Sequence, residues 1–284
     1  MKRLFFIASL ILSIAAPAAF AQSGSALLIP SDARSLSMGG VSLRPTADKL
    51  DAKAFYGSWA PKTAANTIVG GEVFFRASER FALSVEGRTF LDKPYEISSA
   101  QGMVKGEFRP SDLIVGLGAS YAVTDFLSID LKARMLSSSI GEKAKGNAFC
   151  GDLRVGYEQE KFSVGLSGRN LGSKLSYDGK NAYALPMLAA LDGSVRPVDG
   201  LTIAAEADYL FSGALMAGLG VEYTIAEIVS LRGGFHYGDA AKAIPTYASL
   251  GLGVQFAGVH LDAAFLLASK TLGNSLMVGL GYAF

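Results

Sequence analysis

The chain has 284 residues, half of them hydrophobic, with 33 Gly, one Cys and a formal charge of +1. That balance gives no electrostatic case for nucleic acid, which needs a basic face, and the lone Cys150 excludes an internal disulfide. Past the first 21 residues no apolar run reaches the roughly 18 residues of a spanning helix. High hydropathy without such a helix fits strands that place an apolar residue at every second position.

Met1-Lys2-Arg3 is a charged start, Leu4 to Ala16 an apolar stretch, and Ala19-Phe20-Ala21 a small-residue cleavage site. Residues 1–21 therefore read as a cleavable signal peptide for export, and no Cys follows the site to receive a lipid anchor. Removing Lys2 and Arg3 from the 26 basic residues leaves 24 against 25 acidic, a formal charge of −1.

Residues 22–64 read as a hatch-like segment with a first strand somewhere inside it. Ser31-Asp-Ala-Arg-Ser-Leu-Ser-Met-Gly-Gly-Val41 has no strand period, and Gly39-Gly40 permits unusual backbone angles. Its candidate hatch residues are Ser31, Asp32, Arg34, Met38, Gly39 and Gly40. Residues 25–50 form the only unassigned stretch large enough to enter a lumen.

From residue 65 the pattern is regular, and residues 65–284 read as one antiparallel, transmembrane, all-β barrel. Strands are expected at 67–76, 81–90, 113–121, 126–136, 149–157, 162–170, 187–196, 201–211, 215–225, 228–237, 247–256, 259–267 and 275–284. One more before residue 64 gives fourteen, the even number that brings both ends to one rim. Alternate connections, at 77–80, 123–125, 158–161, 198–200, 226–227 and 257–258, are all short. The long ones, 92–111, 137–147, 171–185 and 238–244, fall on the other rim, the asymmetry of outer-membrane barrels.

The closing strand places Leu276, Val278, Leu280, Tyr282 and Phe284 on one face and mostly small residues on the other. An ending of this kind, with Tyr282 and Phe284, resembles the terminal signal read by barrel assembly machinery. In the same register Phe75, Phe81, Tyr121, Phe126, Tyr157, Phe162, Tyr223 and Phe256 join them as an outward girdle beside the short turns, where membrane lipid ends. Tyr209, Phe211 and Tyr237 form a sparser outer girdle.

Charged strand residues then face inward. The acids are Glu72, Glu86, Asp130, Asp152, Asp192, Glu206, Asp208, Glu222 and Asp262; the bases are Arg76, Arg88, Lys132, Arg134, Arg154, Arg169, Arg196 and Arg232. The lumen network is expected to rest chiefly on Glu86, Arg88, Asp130, Lys132, Arg134, Asp152, Arg154, Glu206, Glu222, Arg232 and Asp262. Balanced signs at similar depth favour pairing across strands and a narrow or plugged lumen over a charge-selective pore. No catalytic or metal constellation is expected: His236 and His260 sit on separate strands, and Cys150 has no partner thiol. Gly116-x-Gly118, Gly218-x-Gly220, Gly251-x-Gly253 and Gly279-x-Gly281 lie within strands, so they signal close backbone approach and not a phosphate loop or another cofactor site.

Four segments carry a family resemblance. Ser31–Val41 is similar to the N-terminal motif of the PorV/PorQ family of outer-membrane proteins. Gly168-Arg-Asn-Leu-Gly172 resembles that family's Asn-Leu-Gly strand end; Gly218–Tyr223 with Val229–Gly238, and the ending Leu250–Phe284, are also similar to the family. The family shares the fourteen-stranded architecture of FadL-type transporters. The resemblance implies a non-enzymatic scaffold or partner-binding barrel linked to type IX-like protein secretion, with loops 92–111, 139–147 and 171–185 meeting secretion-system or surface proteins. The alternative it implies is a FadL-like channel for hydrophobic small molecules, which expects an apolar pocket or lateral opening beside the hatch. The chain departs from the family after its first motif: Phe55-Tyr-Gly-Ser-Trp-Ala-Pro61 stands where an Asn-Pro-Ala element is usual.

Overall fold

A computed structural model describes residues 24–44, 49–59, 66–98, 103–239, 243–267 and 272–284. The expected signal peptide lies outside the described residues. A short 3-10 turn, Ser25–Leu28, and a one-turn helix α1, Ala33–Ser37, come first. The strands are β1 Leu50–Trp59, β2 Asn66–Arg76, β3 Phe81–Leu91, β4 Tyr95–Ser98, β5 Val104–Phe108, β6 Ser111–Ala122, β7 Leu127–Gly141 and β8 Ala144–Glu158. They continue as β9 Phe162–Gly172, β10 Leu188–Val195, β11 Leu201–Leu210, β12 Ala214–Ile225, β13 Val229–Gly238, β14 Tyr247–Phe256, β15 Val259–Leu267 and β16 Ser275–Ala283.

All but β4 and β5 join one closed antiparallel barrel of fourteen strands, in chain order. The seam closes between β1 and β16, with Asp51 opposite Ala283 and Gly57 opposite Met277. The first strand, unplaced by the sequence, is thus Leu50–Trp59. The start of β1 and the end of β16 meet at the short-turn rim, where the amides of Lys49 and Leu50 donate to the Phe284 carbonyl. Tight turns explain the parity: Ala226, Glu227 and Ala257 adopt positive φ, and Ala257-Gly258 (φ 49° and 82°) forms a two-residue hairpin turn matched to strand twist.

Two long connections differ from expectation. Residues 137–147, read as a polar loop, are strand: β7 runs to Gly141 and β8 starts at Ala144, so the hairpin rises beyond the rim. Ladder pairs such as Ser137 with Asn147 satisfy the backbone there, which polar side chains do not forbid. Likewise 92–111 holds the separate hairpin β4–β5.

Between the two rims the outer face is apolar, as alternation requires. Leu276, Val278, Leu280, Tyr282 and Phe284 are exposed, and so are the other girdle rings except Tyr157. Tyr157 is half-buried because Phe126 and Phe162 flank it, with ring centroids 5.5 and 5.9 Å away. On the opposite side Tyr237 is exposed, whereas Tyr209 and Phe211 are only partly so. Arg196 does not face the lumen. It lies just past β10, exposed, and donates to the Glu160 carbonyl across the turn rim.

The lumen has two layers. Toward the long-loop rim, inward residues including Ile68, Phe90, Ile114, Leu136, Leu210, Leu266 and Met277 form an apolar layer. Toward the turn rim lies the charged layer. The sequence reading anticipated the second and not the first, because single apolar residues at strand ends look the same whichever side they face.

Candidate functional site

Residues 24–44 sit inside the barrel. Ala26, Leu27, Ile29, Ala33 and Leu36 are buried in the apolar layer, and α1 packs against β13 to β16. Asp32 caps α1 by accepting from the Ser35 amide at 2.8 Å. Five residues are too few for a stable isolated helix, so packing against the wall holds the turn. Ser31 is part-exposed at its start.

The Met38-Gly39-Gly40 corner lies flat on the inner wall. A Cβ at Gly218 would meet the Gly39 carbonyl, at Gly220 the Met38 backbone, at Gly234 the Gly39 amide, and at Gly251 the Ser37 side chain. Those wall glycines are therefore a seat shaped for backbone. Gly39 and Gly40 themselves have φ of 72° and 80°, the left-handed region that suits glycine. His236 on β13 donates from Nδ1 toward the Gly39 carbonyl at 3.2 Å and stacks on Tyr247, centroids 4.9 Å apart.

Each polar tie of the hatch meets the charged layer at a different strand. Arg34 grips Glu222 through Nε and Nη2 at 2.9 and 2.7 Å. Asp32 pairs with Lys53 at 3.1 Å, and Arg88 donates to the Ile29 carbonyl at 2.7 Å. The Ser42 amide donates to Glu206 at 2.9 Å. Arg44 reaches Asp130 at 3.1 Å and Glu158 at 3.2 Å. Lys53 and Arg44 are functional neighbours that the sequence reading did not single out, since both lie in the stretch whose strand it could not place.

Several pairs within the wall follow one of two rules. Glu222 and Arg232 are directly opposite in register and bond at 2.6 Å; Asp130 and Arg154 are opposite and lie 3.3 Å apart. Other pairs skip a strand by passing over a glycine. Arg154 crosses Gly165 to Asp192 at 2.6 Å, and Arg232 crosses Gly253 to Asp262. Glu86 and Arg134 meet over Gly116, while His260 crosses Gly281 to Asp51 at 3.0 Å. Lys132 ties Glu86 at 2.8 Å, Arg134 ties Asp152, and Arg169 ties Glu206 at 2.6 Å. The interior glycines thus serve close approach, in two forms: hatch backbone on wall, and ion pairs spanning a strand. Such pairs are weak evidence of net stability, because both partners were taken from water. What they fix is the position of each side chain and of the hatch.

Gly168-Arg-Asn-Leu-Gly172 forms a bulge, where the β8–β9 register shifts between Gly151 and Leu153. Asn170 adopts φ 58°. Its amide donates to Asp152 at 2.8 Å, its Nδ2 to the Pro186 carbonyl at 2.9 Å, and its Oδ1 accepts from Arg134 at 2.8 Å.

Outside the lumen, a crevice of about 580 Å³ opens at the long-loop rim. Ile140, Lys143 and Ala144 of the tall hairpin line one side, and Tyr177, Asp178 and Tyr183 the other. Beside the hatch, its own apolar side chains pack against the inward residues of the upper lumen.

No protein-family model matches the chain, and no curated protein matches it. Solved structures do. The Ralstonia pickettii toluene transporter TbuX matches with a TM-score of 0.62 at 14% identity, over 90% of this chain and 99% of that one. The CymD monoaromatic hydrocarbon channel matches with a TM-score of 0.62 at 14% identity, over 90% and 98%. The Pseudomonas putida toluene transporter TodX matches with a TM-score of 0.55 at 12% identity, over 93% and 95%. The fold is that of FadL-type outer-membrane barrels.

Proposed function

We propose that the chain is an outer-membrane channel for hydrophobic small molecules, gated by residues 24–44 and exported by the peptide at 1–21. The observation that carries this reading is the layered lumen. An apolar upper chamber receives the apolar side chains of an N-terminal segment that polar ties also anchor to the wall, so an apolar solute could replace those side chains at small cost in transfer energy. The charged layer beneath is unsuited to such a solute. Support comes also from the fold shared with proteins described as toluene transporters and a monoaromatic hydrocarbon channel.

The test is uptake of radiolabelled toluene by cells whose outer membrane carries the chain, against cells without it and cells carrying a form lacking residues 24–44. Faster uptake with the full chain, altered by the deletion, is expected. Equal uptake in all three would end the channel reading.

A second reading, a PorV/PorQ-type scaffold serving secretion, rests on the motifs at 31–41 and 168–172. One feature of the outer rim favours it: the hairpin β4–β5 stands free of the barrel and exposes Tyr95, Met103 and Val104. Purification in mild detergent that brings down a stoichiometric surface partner is its expected result, and repeated recovery of the lone barrel removes it.

A further inference from the structure

The hairpin β4–β5 is separated from the barrel by Pro94 before β4 and Pro110 after β5. Neither proline can donate to a ladder, so barrel pairing does not extend into the hairpin. At its base the Asp92 amide donates to the Pro110 carbonyl at 3.0 Å, and Arg109 to the Asp92 carbonyl at 2.6 Å. The sheet has two strands, so one edge of β5 is open.

Among the described residues, the charges on β5 meet no opposite charge across the hairpin. Glu107 stands directly opposite Glu96, and like charges in that position repel. Lys105 falls at the register shift between the Gly106 and Val104 pairs and has no cross-strand partner. Val104 is 57% exposed beside them.

The sequence of this edge, Val104-Lys-Gly-Glu-Phe108, is self-complementary. Laid antiparallel on a second copy about Gly106, it sets Lys105 opposite Glu107 of that copy, Glu107 opposite its Lys105, and Val104 opposite its Phe108. A two-fold interface requires this kind of self-matching, and exposed strand edges are ready templates for it. We propose that β5 is a homophilic docking edge, which pairs this chain with a second copy of itself through residues 104–108. The contact is short, below the size of a standing interface, so the pairing is transient.

Gly106 supplies the test. A Cβ there meets nothing within 4 Å, and directly opposed strand residues lie about 4.5–5.5 Å apart, within disulfide reach. In a C150S background, G106C purified in detergent and mildly oxidised is expected to form a covalent dimer, and K93C at the hairpin base is not. Adding E107K should cut the dimer yield about tenfold, and K105E/E107K, which reverses both signs, should restore it. Heat-modifiable migration checks that each variant is folded. Equal dimer yield from G106C and K93C, insensitivity to E107K, or failure of the double reversal would each overturn the proposal.

Discussion

Arg34 of the hatch and Glu222 of β12 meet through two hydrogen bonds, 2.9 and 2.7 Å long, and Glu222 also accepts from Arg232. One carboxylate therefore holds both the hatch and the wall. Replacing Arg34 by Ala leaves Glu222 still paired, whereas Glu222→Ala strands the Arg34 guanidinium and leaves Arg232 held by Asp262 alone. We expect R34A to cost about 1–3 kcal/mol and E222A about 3–5 kcal/mol, read from urea unfolding in detergent. Equal losses would show that Glu222 does not hold the wall as well as the hatch.

Gly233 and Gly234 are neighbours on β13 with opposite duties. A Cβ at Gly233 meets nothing within 4 Å, whereas one at Gly234 runs into the Met38–Gly39 backbone. Gly234→Ala should unseat the hatch and raise its rate of proteolysis at least several-fold; Gly233→Ala should stay within about 0.5 kcal/mol of the parent. Matching proteolysis rates for the two would refute the seat.

Asn170 is asked for two things, a left-handed backbone and three hydrogen bonds. Asn170→Gly meets the first and loses the side-chain bonds; Asn170→Ala loses both. The order of stability should be Asn, then Gly, then Ala, with the last about 2–4 kcal/mol below the parent. An Ala variant as stable as the Gly variant would mean the bulge relaxes.

Leu219 is 52% exposed near the middle of β12 and faces outward. If that face meets lipid, Leu219→Arg should cost about 2–4 kcal/mol in bilayers, while Leu219→Ala costs less. A neutral arginine in bilayer unfolding experiments would argue that the face meets water.

Asp178, in the loop after β9, accepts from the Asn181 and Lys180 amides at 2.7 and 2.8 Å and from the Asn181 side chain at 2.7 Å. These donors hold its carboxyl at about 2, below the ordinary 3.8. A depressed carboxyl stabilises the folded turn above the ordinary value, and that contribution fades as pH falls through about 2. Amide exchange across 173–187, corrected for intrinsic rate, should stay protected at pH 5 and lose protection between pH 4 and 2. Asp178→Asn should abolish that dependence.

Much of the barrel was legible because period two is imposed by strand geometry and lipid on one side demands apolar residues there. The short turns were legible too, since Ala257-Gly258 and Glu158–Lys161 interrupt clean alternation. Hairpin β7–β8 was not: Ser137 to Asn147 is polar on both faces above the rim, and backbone pairing needs no side-chain pattern. Of the candidate site, Arg34 and Glu222 were each visible as charges out of place, but nothing in the sequence joins residues 188 positions apart.

By itself, then, the chain determined the barrel's strand count, its parity, and most of the side chains that face outward, because those follow from local alternation and connection length. Tertiary structure alone decided that Glu222 receives Arg34, that Gly234 seats Gly39, and that apolar residues inside the upper barrel close around Leu36. Closing the sheet turns fourteen separate inner faces toward one axis, and only there do residues distant along the chain come within bonding distance.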